Sequence, residues 1–268
     1  MCESLPDLTK DAFLGGQLQL RQPRSGHRAG HDAMLLAAAT AARPGDRVVE
    51  FGAGIGAAGL ALAKRIGGID LVLVEIDPDL AALARNNAKA NAIGAEIVGL
   101  DINSAAETFA AVGLAPDSVD VVLMNPPFND AKRHRASPDH TRASAHMARP
   151  DTLAVWIGAA RRILKSRGVL TLIWRADGLA DALAALEHGF GSLVVLPVHG
   201  EGAKPAIRVL IRAVKGGRAP TELLASLILN DSSAAPDRRV ADILAGKALP
   251  IAAQPRPLNR SLAQKRSI

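Results

Sequence analysis

Five times between residues 47 and 189 a short apolar strand pattern gives way to a helical one, and then two strand patterns follow each other directly. The first five strand patterns are RVVEF (47–51), DLVLVEI (70–76), AEIVGLDI (95–102), SVDVVLMN (118–125) and VLTLIWR (169–175). They are rich in Val, Ile and Leu, as strands buried on both faces must be, and helices lie between them. Parallel neighbours need such crossovers, whereas the last pair, SLVVLPV (192–198) and AIRVLIRAV (206–214), is too closely spaced for one. The pattern predicts an α/β fold with a seven-stranded sheet, mostly parallel with one late antiparallel strand, and helices on both faces.

Around that core (46–217) the chain divides further. Residues 1–45 hold a hairpin pattern around Gly15-Gly16 and a helix over 31–42. Residues 218–268 add an apolar stretch (222–229), a short helix near 238–246 and a Pro/Arg/Gln-rich tail expected to be partly flexible. At 268 residues, 49% hydrophobic and 22% charged, the chain can bury a sizeable core. No apolar run matches a membrane span, the first residues carry acids where a signal peptide needs a basic and then apolar run, and Cys2 is the only cysteine. A cytoplasmic protein, with no disulfide framework and no cysteine zinc site, is expected.

EFGAGIGAAG follows the first core strand and opens a helix. Glycines let the backbone approach a ligand closely, and the helix start favours a negative group. Two readings fit. Gly54, Gly56 and Gly59 match a dinucleotide fingerprint, with Glu75 at the end of the next strand as ribose acceptor. Glu50, Gly52, Gly54 and Gly56 match E-x-G-x-G-x-G, a loop that holds S-adenosylmethionine (SAM). Either cofactor carries adenosine, so the loop alone does not choose. Asp101, after the third strand, could accept from an adenine amino group or cap the next helix. Asp77-Pro78 reads as an N-cap followed by proline at the first helical position.

The fourth strand ends on Asn125, Pro126, Pro127 and Phe128. At the ends of four successive strands, EFGAGIG, LVEIDP, LDI and NPPF together resemble the class I SAM-dependent methyltransferases of the Asn-Pro-Pro-aromatic subgroup. RAGHDAMLLAA (28–38) and RVLIRAVKGG (208–217) are similar to segments of the bacterial enzymes that methylate the 6-amino group of an adenosine in tRNA(Val). Some of that lineage are labelled O-methyltransferases. The resemblance spans roughly residues 12–217, and Phe128 stands where Tyr is more frequent.

The resemblance implies a clamp. The Asn125 side-chain oxygen and the Pro126 carbonyl accept the two N–H bonds of a planar amine, the proline rings fix that carbonyl, and Phe128 stacks on the base. It implies further that Glu75 holds the ribose hydroxyls, Ile76 packs on adenine and Asp101 with Ile102 brackets the adenine edge. Gly52 and Gly54 pass beneath the methionine part, with Glu50 near its amino group and Gly56 completing the loop. Asp32 lies on the segment that lids the cofactor in this family; capping its own helix is the other reading. Asn125 also belongs to the cofactor-side set.

Net charge is +6, and the excess gathers late: residues 129–149 hold five cations against two acids, and 204–218 and the tail from 247 hold none of the latter. A basic balance permits a polyanion as partner, and the resemblance implies that it is structured RNA, tRNA above all. His134, His140 and His146 are spaced unlike any standard zinc set, so no metal is expected. Trp156 and Trp174 read as core. The rival functions are methylation of a protein glutamine, O-methylation of a small molecule, and RNA binding without catalysis.

Overall fold

The computed structural model describes residues 8–24, 28–127, 151–230 and 237–252; Phe128, the histidines and cations of 129–149 and the tail past 252 lie outside the described residues. In chain order, strands β1 (Leu8–Phe13) and β2 (Leu18–Pro23) precede helix α1 (His31–Ala39). Then come β3 (Arg47–Phe51), α2 (Ala57–Ile66), β4 (Asp70–Val74), α3 (Pro78–Ala90), β5 (Glu96–Val98), α4 (Ala106–Ala111) and β6 (Val119–Met124). After the gap follow α5 (Thr152–Ile163), β7 (Leu164–Arg175), α6 (Leu179–Glu187), β8 (Phe190–Glu201), β9 (Ala206–Lys215), β10 (Glu222–Leu223), β11 (Leu227–Asn230) and α7 (Arg238–Leu244).

The main sheet runs β10-β8-β9-β7-β6-β3-β4-β5, with β11 also pairing β8. Only β9 runs against its neighbours, antiparallel to both β7 and β8, as the closely spaced last pair requires. The expected seven strands are present, and the stretch 222–229 lengthens the sheet: β10 and β11 pair in parallel with the outer edge of β8. Alternation sorts the strand residues onto two faces. Val48, Leu71, Leu73, Val121 and Leu123 meet α1, α2, α3, the hairpin and α7, while Val49, Phe51, Val72, Val74, Val122 and Met124 meet α4, α5 and α6. Trp156 and Trp174 are buried on the second face, and Phe51 meets Trp156 edge-on at 6.3 Å between ring centroids.

One local reading changes. The stretch DTLAVWIGAARRILKSRG (151–168) reads as one amphipathic helix closed by Gly168, yet the helix stops at Ile163, because Leu164 already pairs with Val119 and a bulge between Val119 and Val121 lets residues 165–168 loop out. Arg167, with φ +68°, makes that turn. The Asp77 cap stands as read: its carboxylate accepts from the N–H groups of Asp79 (2.9 Å) and Leu80 (3.1 Å), with Pro78 next in line.

The hairpin forms its own two-stranded sheet, yet its second strand is not left bare. Asn87 and Asn91, one turn apart on α3, stand in for a neighbouring strand. Asn87 Oδ1 accepts from Arg21 N (2.8 Å) and its Nδ2 donates to Arg21 O (3.0 Å); Asn91 does the same for Gln19 N (2.9 Å) and O (2.7 Å). Asn87, fully buried, also donates to the Ile55 carbonyl at 3.1 Å, inside the glycine loop. Asn87→Ala would orphan backbone groups on both elements and is expected to cost about 2–3 kcal/mol of stability. Asn91→Ala, at a half-buried position, should cost less; urea unfolding of the two variants checks the order.

Candidate active site

Register brings the carboxyl ends of the central strands to one edge. Phe51 pairs with Val74 on one side and with Met124 on the other, and Val74 pairs with Val98. Gly52, Glu75 and Asn125 therefore leave three adjacent strands side by side, about 4.8 Å per strand apart. Sheet order reverses between β3 and β6, so the crevice of an open α/β sheet falls between Gly52 and Asn125.

The glycine loop is shaped by packing as well as by φ. Gly52, Gly54 and Gly56 all adopt left-handed φ, at +63°, +56° and +83°. A Cβ on Gly52 would lie 2.5 Å from the Trp156 ring, so the indole supports the loop from below. Among the described residues a Cβ on Gly54 would meet nothing within 4 Å, leaving open space above the loop. Gly59 is fixed by close approach: a Cβ there would lie 2.6 Å from Leu73 and 2.7 Å from the Glu50 carboxylate.

The two acids behave differently. Glu50 sits beneath α2 at 5% exposure, and one oxygen accepts from Gly59 N at 2.7 Å. Burial pushes its carboxyl up to about 8 against the pull of that N–H, and the charge of Glu75 adds to the rise. Glu75, also 5% exposed, spans two loops: Oε2 accepts from Gly54 N (2.6 Å) and Oε1 from Asp77 N (2.9 Å). Each oxygen keeps a second lone-pair direction for a hydroxyl. Ile76, next in the chain, is a large apolar side chain left 48% exposed at this edge.

Asp101 does not cap α4, whose N-cap is Ala105; it closes its own turn by accepting from Asn103 N (2.9 Å) and Nδ2 (2.7 Å). The Ile102 side chain is buried in the core, so what it offers a ligand is backbone. Asp32 is not a cap either: Gly30 occupies that position, and Asp32 pairs with Arg208 of β9 at 2.9 Å, tying the first turn of α1 to the far half of the sheet.

Asn125 is half-buried, Pro126 buried and Pro127 half-buried. The Asn125 Oδ1 atom is shielded from solvent yet has no hydrogen-bond partner among the described residues. Leaving such an acceptor unmet costs about 1–3 kcal/mol, which a structural turn has no reason to bear.

Sequence reasoning missed Asn87 and the Trp156 support. A signal for the first existed: in RNNAKAN, two asparagines four apart share the face that otherwise carries buried alanine and leucine. Elsewhere, a cleft of about 810 Å³ beside α5 is lined by Arg161, Arg162 and Lys215. All three cations are already engaged, Arg161 with the His188 carbonyl at 3.2 Å, Arg162 over the Phe109 ring at 4.8 Å and Lys215 with Asp117 at 2.8 Å. Among the described residues no group of three His, Cys, Asp or Glu could hold a metal, and no helix is long and apolar enough to cross a membrane.

Residues 28–200 match the family model of the methyltransferase small domain. A tRNA1(Val) (adenine(37)-N6)-methyltransferase of Dickeya chrysanthemi is 28% identical over 87% of this chain and 91% of its own length. The enzyme of the same name from Porphyromonas gingivalis strain W83 is 31% identical, covering 64% and 68%. Among solved structures, a "predicted O-methyltransferase" from Agrobacterium tumefaciens superposes with TM-score 0.67 at 30% identity, over 81% of this chain and 97% of that one.

Proposed function

Because the chain belongs to the methyltransferase small domain family, and is a SAM-dependent methyltransferase of class I fold, we propose that its acceptor is the 6-amino group of an adenosine in tRNA. The observation that carries this reading is the Asn125 Oδ1 atom at the switch point of the sheet, shielded from solvent and without a hydrogen-bond partner among the described residues. An amine N–H is the group that would satisfy it. Relatives named for adenine N6 methylation in tRNA1(Val), covering most of the chain, support the choice of base and of RNA.

The residues at the carboxyl edge fit SAM. Open space over Gly54 admits its methionine part, Glu75 offers acceptors for ribose hydroxyls, exposed Ile76 offers an apolar surface for adenine, and buried Glu50 can face the amino group. When bound, SAM supplies an electrophilic methyl group on a sulfonium centre. The rest is done by the chain. The lone pair of an adenine amine is delocalised into the ring, which makes it a poor nucleophile. Asn125 Oδ1 and the Pro126 carbonyl accept its two N–H bonds, draw the nitrogen toward tetrahedral geometry and stabilise the positive charge that develops on it. Two consecutive proline rings restrict φ and hold the second acceptor still. The proton leaves after charge has formed, so no strong base is required. Phe128 would stack on the base.

Cofactor choice follows from the same geometry. SAM should bind and NAD should compete poorly, and Glu75→Ala should weaken SAM by about 1.5–3 kcal/mol, the worth of charge-assisted hydrogen bonds. Calorimetry with both cofactors checks this; NAD binding tighter than SAM would overturn it. The acceptor is tested by transfer of a labelled methyl group from SAM to bulk tRNA, with protein and small-molecule acceptors in parallel. Label in tRNA is expected, and label only in protein would move the acceptor to a glutamine amide.

A further inference from the structure

We propose that the outward face of the N-terminal hairpin, together with the exposed side of α3, is a fixed platform for the phosphate backbone of the RNA acceptor. It rests on the acceptor reading above. Lys10 and Arg21 are cross-strand partners in the hairpin, and both are exposed, while Leu18, Leu20 and Gln22 on the opposite face are buried. Like charges set directly opposite in an antiparallel pair destabilise it. Arg85 and Lys89, one turn apart on α3, are exposed as well. None of these four side chains joins an ion pair or side-chain hydrogen bond among the described residues. In contrast, Arg28, Lys165, Lys204, Arg208, Lys215, Arg239 and Lys247 each have an acid partner.

The platform is held rigidly. Asn87 and Asn91 bond the free edge of β2 to α3, Leu14, Leu18 and Leu20 enter the core, and Asn87 reaches on to the Ile55 carbonyl of the glycine loop. The four cations are thereby referenced to the loop that borders the crevice, so a backbone lying on them is indexed to the site. The occupant is a polyanion and not a protein surface. Around Lys10 and Arg21 the same face carries Ala12 and Gln19 on one side and Leu8 and Pro23 on the other; Leu8 is half-buried and packs against the core, so the face presents no fully exposed large apolar anchor of the kind a protein partner needs. Among the described residues the exposed large hydrophobics lie elsewhere, at Ile76, Ile207, Leu223 and Leu244.

The test uses the full chain and two double variants, Lys10→Gln with Arg21→Gln and Arg85→Gln with Lys89→Gln. Binding of unmodified tRNA is titrated across a potassium chloride series, beside SAM binding and thermal unfolding. Each double variant should flatten the slope of log K against log salt by about 1.4–1.8, since every phosphate left without its cation takes roughly 0.7–0.9 off the slope. SAM affinity should stay unchanged, and the first variant should unfold at the same or a higher temperature because its like-charge pair is gone. Intact salt slope in both variants overturns the platform, as does weaker tRNA binding with no change in slope. If the unaltered protein neither binds nor methylates tRNA, the acceptor reading itself fails and takes the platform with it.

Discussion

Asn125→Ala is expected to lower single-turnover methyl transfer to tRNA by about 10²–10³ while SAM still binds within a few fold, as for the loss of one preorganised group aimed at developing charge. The structure sharpens this expectation. Asn125 Oδ1 accepts no hydrogen bond from any described residue, so its removal orphans no donor and should not cost stability. Deleting a buried unmet acceptor should leave the melting temperature level or raise it slightly. Asn125→Asp keeps an oxygen that accepts an N–H and should retain more activity than the alanine variant. A variant that transfers methyl at the unaltered rate would reduce the motif to a turn. A variant that unfolds early would show that the side chain serves the fold.

Glu50 gives the second large effect, and it depends on pH. Burial raises its carboxyl from 4.5 to about 8 in the folded protein. Between those two values the folded state holds a proton that the unfolded state has lost, so this group's contribution to stability falls as pH rises, by about 1.4 kcal/mol per pH unit, and is level above the folded value. Glu50→Gln, with an amide oxygen still able to accept from Gly59 N, should remove that slope and be the more stable protein near pH 8. In the proposed role Glu50 must ionise to meet the cofactor's amino group, so SAM binding should release close to one proton and tighten from about pH 5.5 to about 7.5. Above about pH 7.5 the ligand's own α-amino group begins to lose its charge. Calorimetry in buffers of different ionisation enthalpy counts the proton. Binding with no proton released, and flat across that range, would place Glu50 in the scaffold alone.

Much of this site is legible in the sequence because its parts are local. A strand, a glycine turn and a helix start are encoded within a few residues, and so are Asp77-Pro78 and the Asn125-Pro126-Pro127 run. Their alignment at one edge follows from parallel pairing, which puts every carboxyl end on the same side. The illegible parts depend on residues far apart in the chain. Asn87 meets Arg21 across 66 positions and Asp32 meets Arg208 across 176; the spacing of Asn87 and Asn91 marks a helix face, but nothing local names the strand that either pairing reaches. Residues 222–230 are too short a pattern to reveal strands until the edge of β8 supplies their partner. The helix end at Ile163 is hidden because ARRILKS continues a helical composition, while pairing of Leu164 with Val119 overrides that propensity. Glu50 stands out in the loop pattern, but its altered acidity comes from its place beneath α2, where the N–H of Gly59 is its main polar contact.

Methyl transfer to an adenine amine underlies all of these expectations, and it can be measured directly. Unmodified tRNA is incubated with the protein and SAM carrying a deuterated methyl group, then digested to nucleosides and analysed by mass spectrometry. Labelled N6-methyladenosine, at one position of one tRNA species, is the expected product, and it should vanish in Asn125→Ala. Label on a ribose oxygen or on another base, or no label in RNA while a protein or small molecule is methylated, would contradict the proposed chemistry.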